Sequence, residues 1–134
     1  MNRVEKYLKY AFDAIKDVAI AKDNNTMIKM VEGDVISKVF KGYISSLGAN
    51  IIQAGIKIAV YFYEAKESGS TGDKRLVTAS IHYILQKAEG NENPETSGKL
   101  SSRLQEGTNL ELLSQQVMDA ATALKLAIRT YKND

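Results

Sequence analysis

The chain has 134 residues, a formal charge of +2, 44% hydrophobic and 25% charged residues, one histidine and no cysteine. That is the size and balance of one soluble globular domain, able to bury roughly two-thirds of its unfolded surface without a disulfide or a metal. The lack of cysteine excludes disulfides, thiolate metal sites and a Cys nucleophile, and makes the cytoplasm the default location. The start, MNRVEKYLKYAFDAIKD, is charged throughout and is not read as a signal peptide. No apolar run approaches the ~18 residues of a membrane span.

Residues 3–22 place Val4, Leu8, Ala11, Ile15, Val18 and Ala19 on one face, with Lys6, Lys9, Asp13 and Lys16 opposite. That is helical periodicity, and the DNN at 23–25 ends it. Residues 26–46 read as a second helix with Val35, Ile36, Val39, Phe40, Tyr43 and Leu47 inward, divided at Gly33. Asn25 and Thr26 are both suitable N-caps. Residues 48–66 form the third helix. Ile51, Ile52, Ile56, Ile58, Val60 and Phe62 cover most of its circumference and leave one polar stripe of Asn50, Gln53, Lys57, Tyr61 and Glu64. A helix apolar nearly all round is expected in the middle of a domain. Gly48 and Gly55 would then let a neighbouring helix approach, with Ile51, Ile56 and Phe62 packing beside them.

ESGSTGD at 67–73 reads as a flexible loop. A fourth helix over 74–89 would pack through Leu76, Val77, Ser80, Ile81, Ile84, Leu85 and Ala88. GNENPETSG at 90–98 holds the single proline and reads as a second flexible loop, followed by a short helix over 99–105. Thr108-Asn-Leu-Glu111 has the form of a capping box. It opens a long helix with Leu110, Leu113, Val117, Ala120, Leu124, Ala127 and Tyr131 inward, ending near Lys132. The whole is an all-α, single-domain bundle of five to six helices over residues 1–134.

The charge is unevenly spread. Residues 1–66 hold ten Lys/Arg against seven Asp/Glu, and residues 67–134 hold eight against nine. No acidic side chain lies between Asp34 and Glu64, while Lys38, Lys41 and Lys57 do. Those three, with Lys125 and Arg129 on the last helix, are the candidate phosphate contacts. The alternative is that they are ordinary solvated lysines on helix backs.

The residues needed for catalysis or metal binding are not in a recognisable pattern. His82 stands alone, with no His/Cys/carboxylate spacing of a metal site around it and no G-x-S-x-G before it. It reads as a polar residue of the fourth helix. GSTGDK at 69–74 lacks the spacing and preceding strand of a phosphate loop and reads as a linker. The seven tyrosines could stack on bases, or complete a core or an interface. No enzyme activity, cofactor or metal is expected.

Leu47-Gly48-Ala49-Asn50-Ile51-Ile52-Gln53-Ala54-Gly55-Ile56, with Phe62 and Lys66 following, carries a resemblance. It resembles the central pattern of the small α-helical (fifth) subunit of the type III-B (Cmr) CRISPR effector complex, roughly L-P-x-x-I-x-x-N-G-L before an apolar run ending in Phe and then Lys. Leu47, Ile51, Gly55, Ile56 and Phe62 fit. Gly48 stands in place of Pro and Ala54 in place of Asn. ALKLAIRTYK is similar to the family's ending, without the aromatic often found there. The resemblance implies a non-catalytic role in antiviral defence. Copies of the subunit stack as a minor filament along the duplex of guide RNA and target RNA, beside the other subunits of the complex. The small subunit of the type III-A complex, or a helical protein-interaction module with no RNA role, are the alternatives.

Overall fold

The computed structural model describes residues 3–22, 26–65 and 73–133. Among them are five α-helices: α1 (Glu5–Asp17), α2 (Val39–Ala54), α3 (Ile56–Glu64), α4 (Arg75–Ala88) and α5 (Leu110–Ile128). Five two-residue strands accompany them: β1 (Ile20–Ala21), β2 (Met27–Ile28), β3 (Val31–Glu32), β4 (Val35–Ile36) and β5 (Lys132–Asn133). The fold is mostly helical, as the periodicity predicts. The expected loop at 67–73 lies, up to residue 72, outside the described residues.

α1 buries Tyr7, Ala11, Ala14 and Ile15. Their spacing of four, three and one is one helical face, rotated slightly from the face drawn through Val4 and Leu8. Val18 leaves the helix in an extended conformation and carries the chain into β1.

Two short hairpins replace the helix expected from residue 26. β1 pairs antiparallel with β2, and β3 with β4. The β3–β4 turn is Gly33-Asp34, with Gly33 at φ +63°, as a two-residue hairpin turn requires. β-Branched Val31, Val35 and Ile36 suit the strands on either side. β4 also pairs in parallel with β5, and the Lys132 N–H donates to Asp34 O at 3.1 Å. The last helix therefore stops at Ile128 rather than near Lys132.

The helix boundary expected at residues 47–48 falls instead at Gly55, which joins α2 to α3. Gly55 has φ +91° and ψ 158°, a conformation essentially confined to glycine. The chain folds back there, because the Tyr63 hydroxyl of α3 donates to Tyr43 O of α2 at 2.6 Å. A Cβ at Gly48 or Gly55 would meet nothing within 4 Å. Close helix approach, the reason expected for both glycines, is thus not theirs. Gly55 is needed for its backbone angle. Gly48 sits in the interior of α2, where a proline would break the hydrogen-bond ladder and glycine leaves it continuous.

The middle of the molecule belongs to α4. Every residue from Leu76 to Gln86 is buried, and the helix is packed against α1, α3 and α5. α3 lies on the surface, burying only Ile56, Ala59, Val60 and Tyr63. The 90–98 segment is irregular but fastened. Glu95 N–H donates to Gln86 Oε1 at 3.2 Å, Ala19 N–H donates to Thr96 O at 3.1 Å, and Gly98 is buried against the His82 ring. A 3₁₀ turn, Leu100–Arg103, follows it. α5 is capped by Asn109, whose side chain accepts from the Leu112 N–H at 3.1 Å. Thr108, expected as the cap, turns its hydroxyl to Arg103 O at 3.1 Å.

Candidate functional site

α2 and α5 run antiparallel. Residues 35–36 lie beside 132–133, while Ser45 accepts a hydrogen bond from Lys125 Nζ at 2.5 Å. Between the two helices is a groove of about 420 Å³. Ile44, Ser45 and Gly48 form one wall, and Thr122, Lys125 and Arg129 stand on the other. The missing side chain at Gly48 keeps the groove open.

Helical spacing explains the charge at one end of it. Lys41 is one turn before Ser45 on α2, and Arg129 is one turn after Lys125 on α5, so the antiparallel packing puts both beyond the Ser45–Lys125 contact. Lys38 precedes the first turn of α2 and is exposed. Among the described residues none of Lys38, Lys41, Lys125 and Arg129 is in an ion pair. Lys132 is committed to Asp34 at 3.4 Å. Lys125 and Arg129 stand at the C-terminal end of α5, where the helix dipole favours positive charge. Lys125 and Arg129 thus line the groove, and helical spacing sets Lys41, with Lys38 before the helix, toward the same end on α2.

Lys57 does not join them. It is the second residue of α3, beyond the Gly55 fold-back, and about 20 Å of helix separates Lys41 from that bend. Its neighbours on the outer face of α3 are Ile58 and Tyr61. The five candidate phosphate contacts therefore divide into a group of four and a lone fifth. Ile51 and Ile56, expected as packing residues, are core, whereas Phe62 is 52% exposed. Phe62 also forms part of an aromatic cluster that the sequence did not reveal. Lys74 Nζ lies 4.8 Å from its ring centroid, 5.5 Å from that of Tyr43 and 5.7 Å from that of Tyr63. The three aromatics span residues 43–63, and only the fold-back at Gly55 brings them together.

His82 is buried and its Nδ1 accepts a hydrogen bond from Arg103 Nε at 3.0 Å. Arg103 in turn grips both oxygens of Glu89, at 2.8 and 2.9 Å. Burial, and then the Arg103 charge, hold the imidazole below its ordinary pKa. The bond to Arg103 holds the Glu89 carboxyl below its usual range. These groups bind the 3₁₀ turn and the 90–98 segment to α4. Among the described residues, no group of three His, Cys, Asp or Glu side chains could share a metal ion. No helix among them is long and apolar enough to cross a membrane.

The model of one protein family, described as CRISPR-associated protein (Cas_Cmr5), matches residues 3–128. That span runs from the residues before α1 to the end of α5. The chain belongs to this family. The match bears out the resemblance read from the 47–66 stretch and carries the Cas_Cmr5 chain into CRISPR-associated machinery. No curated protein and no solved structure matches it significantly.

Proposed function

We propose that this Cas_Cmr5 chain is a non-catalytic small subunit of a type III-B CRISPR RNA-guided effector complex. It packs beside the guide RNA–target RNA duplex and stacks with further copies of itself. The observation that carries the RNA role is the pair Lys125 and Arg129 lining the α2/α5 groove, with Lys38 and Lys41 set by helical spacing toward the same end on α2 and no carboxylate paired to any of the four among the described residues. Such a cluster neutralises phosphates without reading bases, which leaves sequence selection to pairing between guide and target. Contact by a single copy is weak, and repetition along the assembly raises avidity. The role needs no chemistry from the chain, in accord with a His82 enclosed by Arg103 and the 90–98 segment.

The test is the Lys41→Glu/Lys125→Glu/Arg129→Glu variant, assembled with its partner subunits and titrated with labelled target RNA at two salt concentrations. Removing three phosphate contacts is expected to weaken binding and to flatten its salt dependence by about 2–3 units of log–log slope. Unchanged affinity and slope would remove the groove from the RNA interface.

A further inference from the structure

Three large side chains on the outer face of α3 are more than half exposed: Ile58 at 63%, Tyr61 at 55% and Phe62 at 52%. They fall within two turns of one short helix, opposite the buried Ile56, Ala59, Val60 and Tyr63. Single exposed apolar side chains are normal on a protein surface, but a contiguous group rimmed by polar residues marks an interaction site. Among the described residues the rim carries lysines. Lys57 flanks the patch at the start of α3, and Lys74 is held over the Phe62 ring. Asp73, a nearby acid among the described residues, is engaged by Arg75 through both of its oxygens at 2.6–3.1 Å. Glu64, at the end of α3, accepts from the Ser101 N–H at 3.0 Å.

We propose that this face docks a different protein chain, one presenting an apolar surface edged by acidic side chains. Charge complementarity selects the acidic edge. A second copy meeting this face through a two-fold axis would set Lys57 near its own equivalent. The remaining large exposed apolar residues among those described, Met27, Ile52, Leu112 and Leu126, are spread over three other elements and form no comparable cluster. Nucleic acid is the weaker fit. Ile58, the most exposed of the three, has no π-face on which a base could stack, and one side of the Phe62 ring is already covered by Lys74. The inference rests on the reading of the chain as one subunit of a larger assembly, but it concerns a face separate from the α2/α5 groove.

The experiment places a photo-crosslinking amino acid at position 58 of the full chain in cells that make its native complex. The complex is purified, irradiated and digested, and the adduct is identified by mass spectrometry. The expected adduct is a peptide of another stoichiometric subunit, with Asp or Glu beside apolar residues. In parallel, Tyr61→Ala and Lys57→Glu are each expected to lower co-purification with that subunit about tenfold or more, with an unchanged circular dichroism spectrum. An adduct with RNA, with a second copy of this chain or with an acid-poor peptide would overturn the proposal, as would no adduct. RNA binding lost in the groove variant but crosslinking retained at position 58 would leave this docking face standing. The reverse result would leave the RNA-facing role standing without it.

Discussion

α3 and α4 exchange the places that their compositions suggest. α3 is IKIAVYFYE, with one lysine and one glutamate in nine residues, yet its outer face holds exposed Ile58, Tyr61 and Phe62. α4 is RLVTASIHYILQKA, with Thr78, Ser80, His82 and Gln86 along it, yet everything from Leu76 to Gln86 is buried. The difference lies in what surrounds each helix. α4 has α1, α3, α5 and the 3₁₀ turn around it. Its polar groups are met by local partners, such as Thr78 donating to Arg75 O at 3.3 Å and Gln86 accepting from Glu95 N–H. Ser80 Oγ is the buried side-chain atom left without a partner among the described residues, at a cost of about 1–3 kcal/mol. α3 is covered on one side only. Apolar content thus states what a helix is able to bury, while the neighbours state what it does bury.

The largest expected effect tests the buried side of that contrast. Ile84→Ala in α4 removes most of a side chain that is 0% exposed, and should lower unfolding free energy by about 2–5 kcal/mol in chemical denaturation. A loss under 1 kcal/mol would mean that α4 is not the centre of the core. Next comes the bend that puts α3 outside. Gly55→Ala meets no steric neighbour but forces a side chain into φ +91°, so roughly 1–3 kcal/mol should be lost through backbone strain alone. Gly48→Ala, with open space and helical geometry, should be neutral or slightly stabilising. Equal effects at the two glycines would contradict the fold-back.

Lys74 ties the start of α4 to the rings of α2 and α3. Its replacement by Met should cost about 0.5–1 kcal/mol and shift the tyrosine near-ultraviolet signal. The pH dependence concerns the polar residue that α4 buries. His82 has its folded pKa depressed, so the unfolded chain takes up a proton first as pH falls. The stability contributed by the neutral ring is complete above about pH 6.5 and declines as pH falls below that value. His82→Gln should remove that part of the slope between pH 7 and pH 5, and an unaltered slope would place the titration on other groups. The smallest effect belongs to α3. Ile58→Ser should change monomer stability by no more than about 0.5 kcal/mol, in keeping with a side chain that is 63% exposed.

The candidate groove was half legible. The acid-free interval marked Lys38 and Lys41, and the last helix marked Lys125 and Arg129, because long unpaired side chains on regular helices are visible as spacing. Nothing in spacing tells whether two faces meet. Lys57 shares the same acid-free interval and ends on another surface, because one backbone angle at Gly55 turns the chain between Lys41 and Lys57. The hairpins at 20–36 were missed for a related reason. Two-residue strands give no period to detect, and β4 is completed by β5 nearly a hundred residues later.

What the sequence determined by itself was the helices over most of α1, α4 and α5, their apolar faces, all set by residues three or four apart, and a family pattern carried by Leu47, Ile51, Gly55, Ile56 and Phe62. Tertiary structure alone decided which helix is enclosed, which apolar face stays in water, and which cations gather. Local periodicity fixes the face that a helix offers. Burial is fixed by the other elements that close over it, and those contacts link residues too far apart in the chain for any local pattern to record.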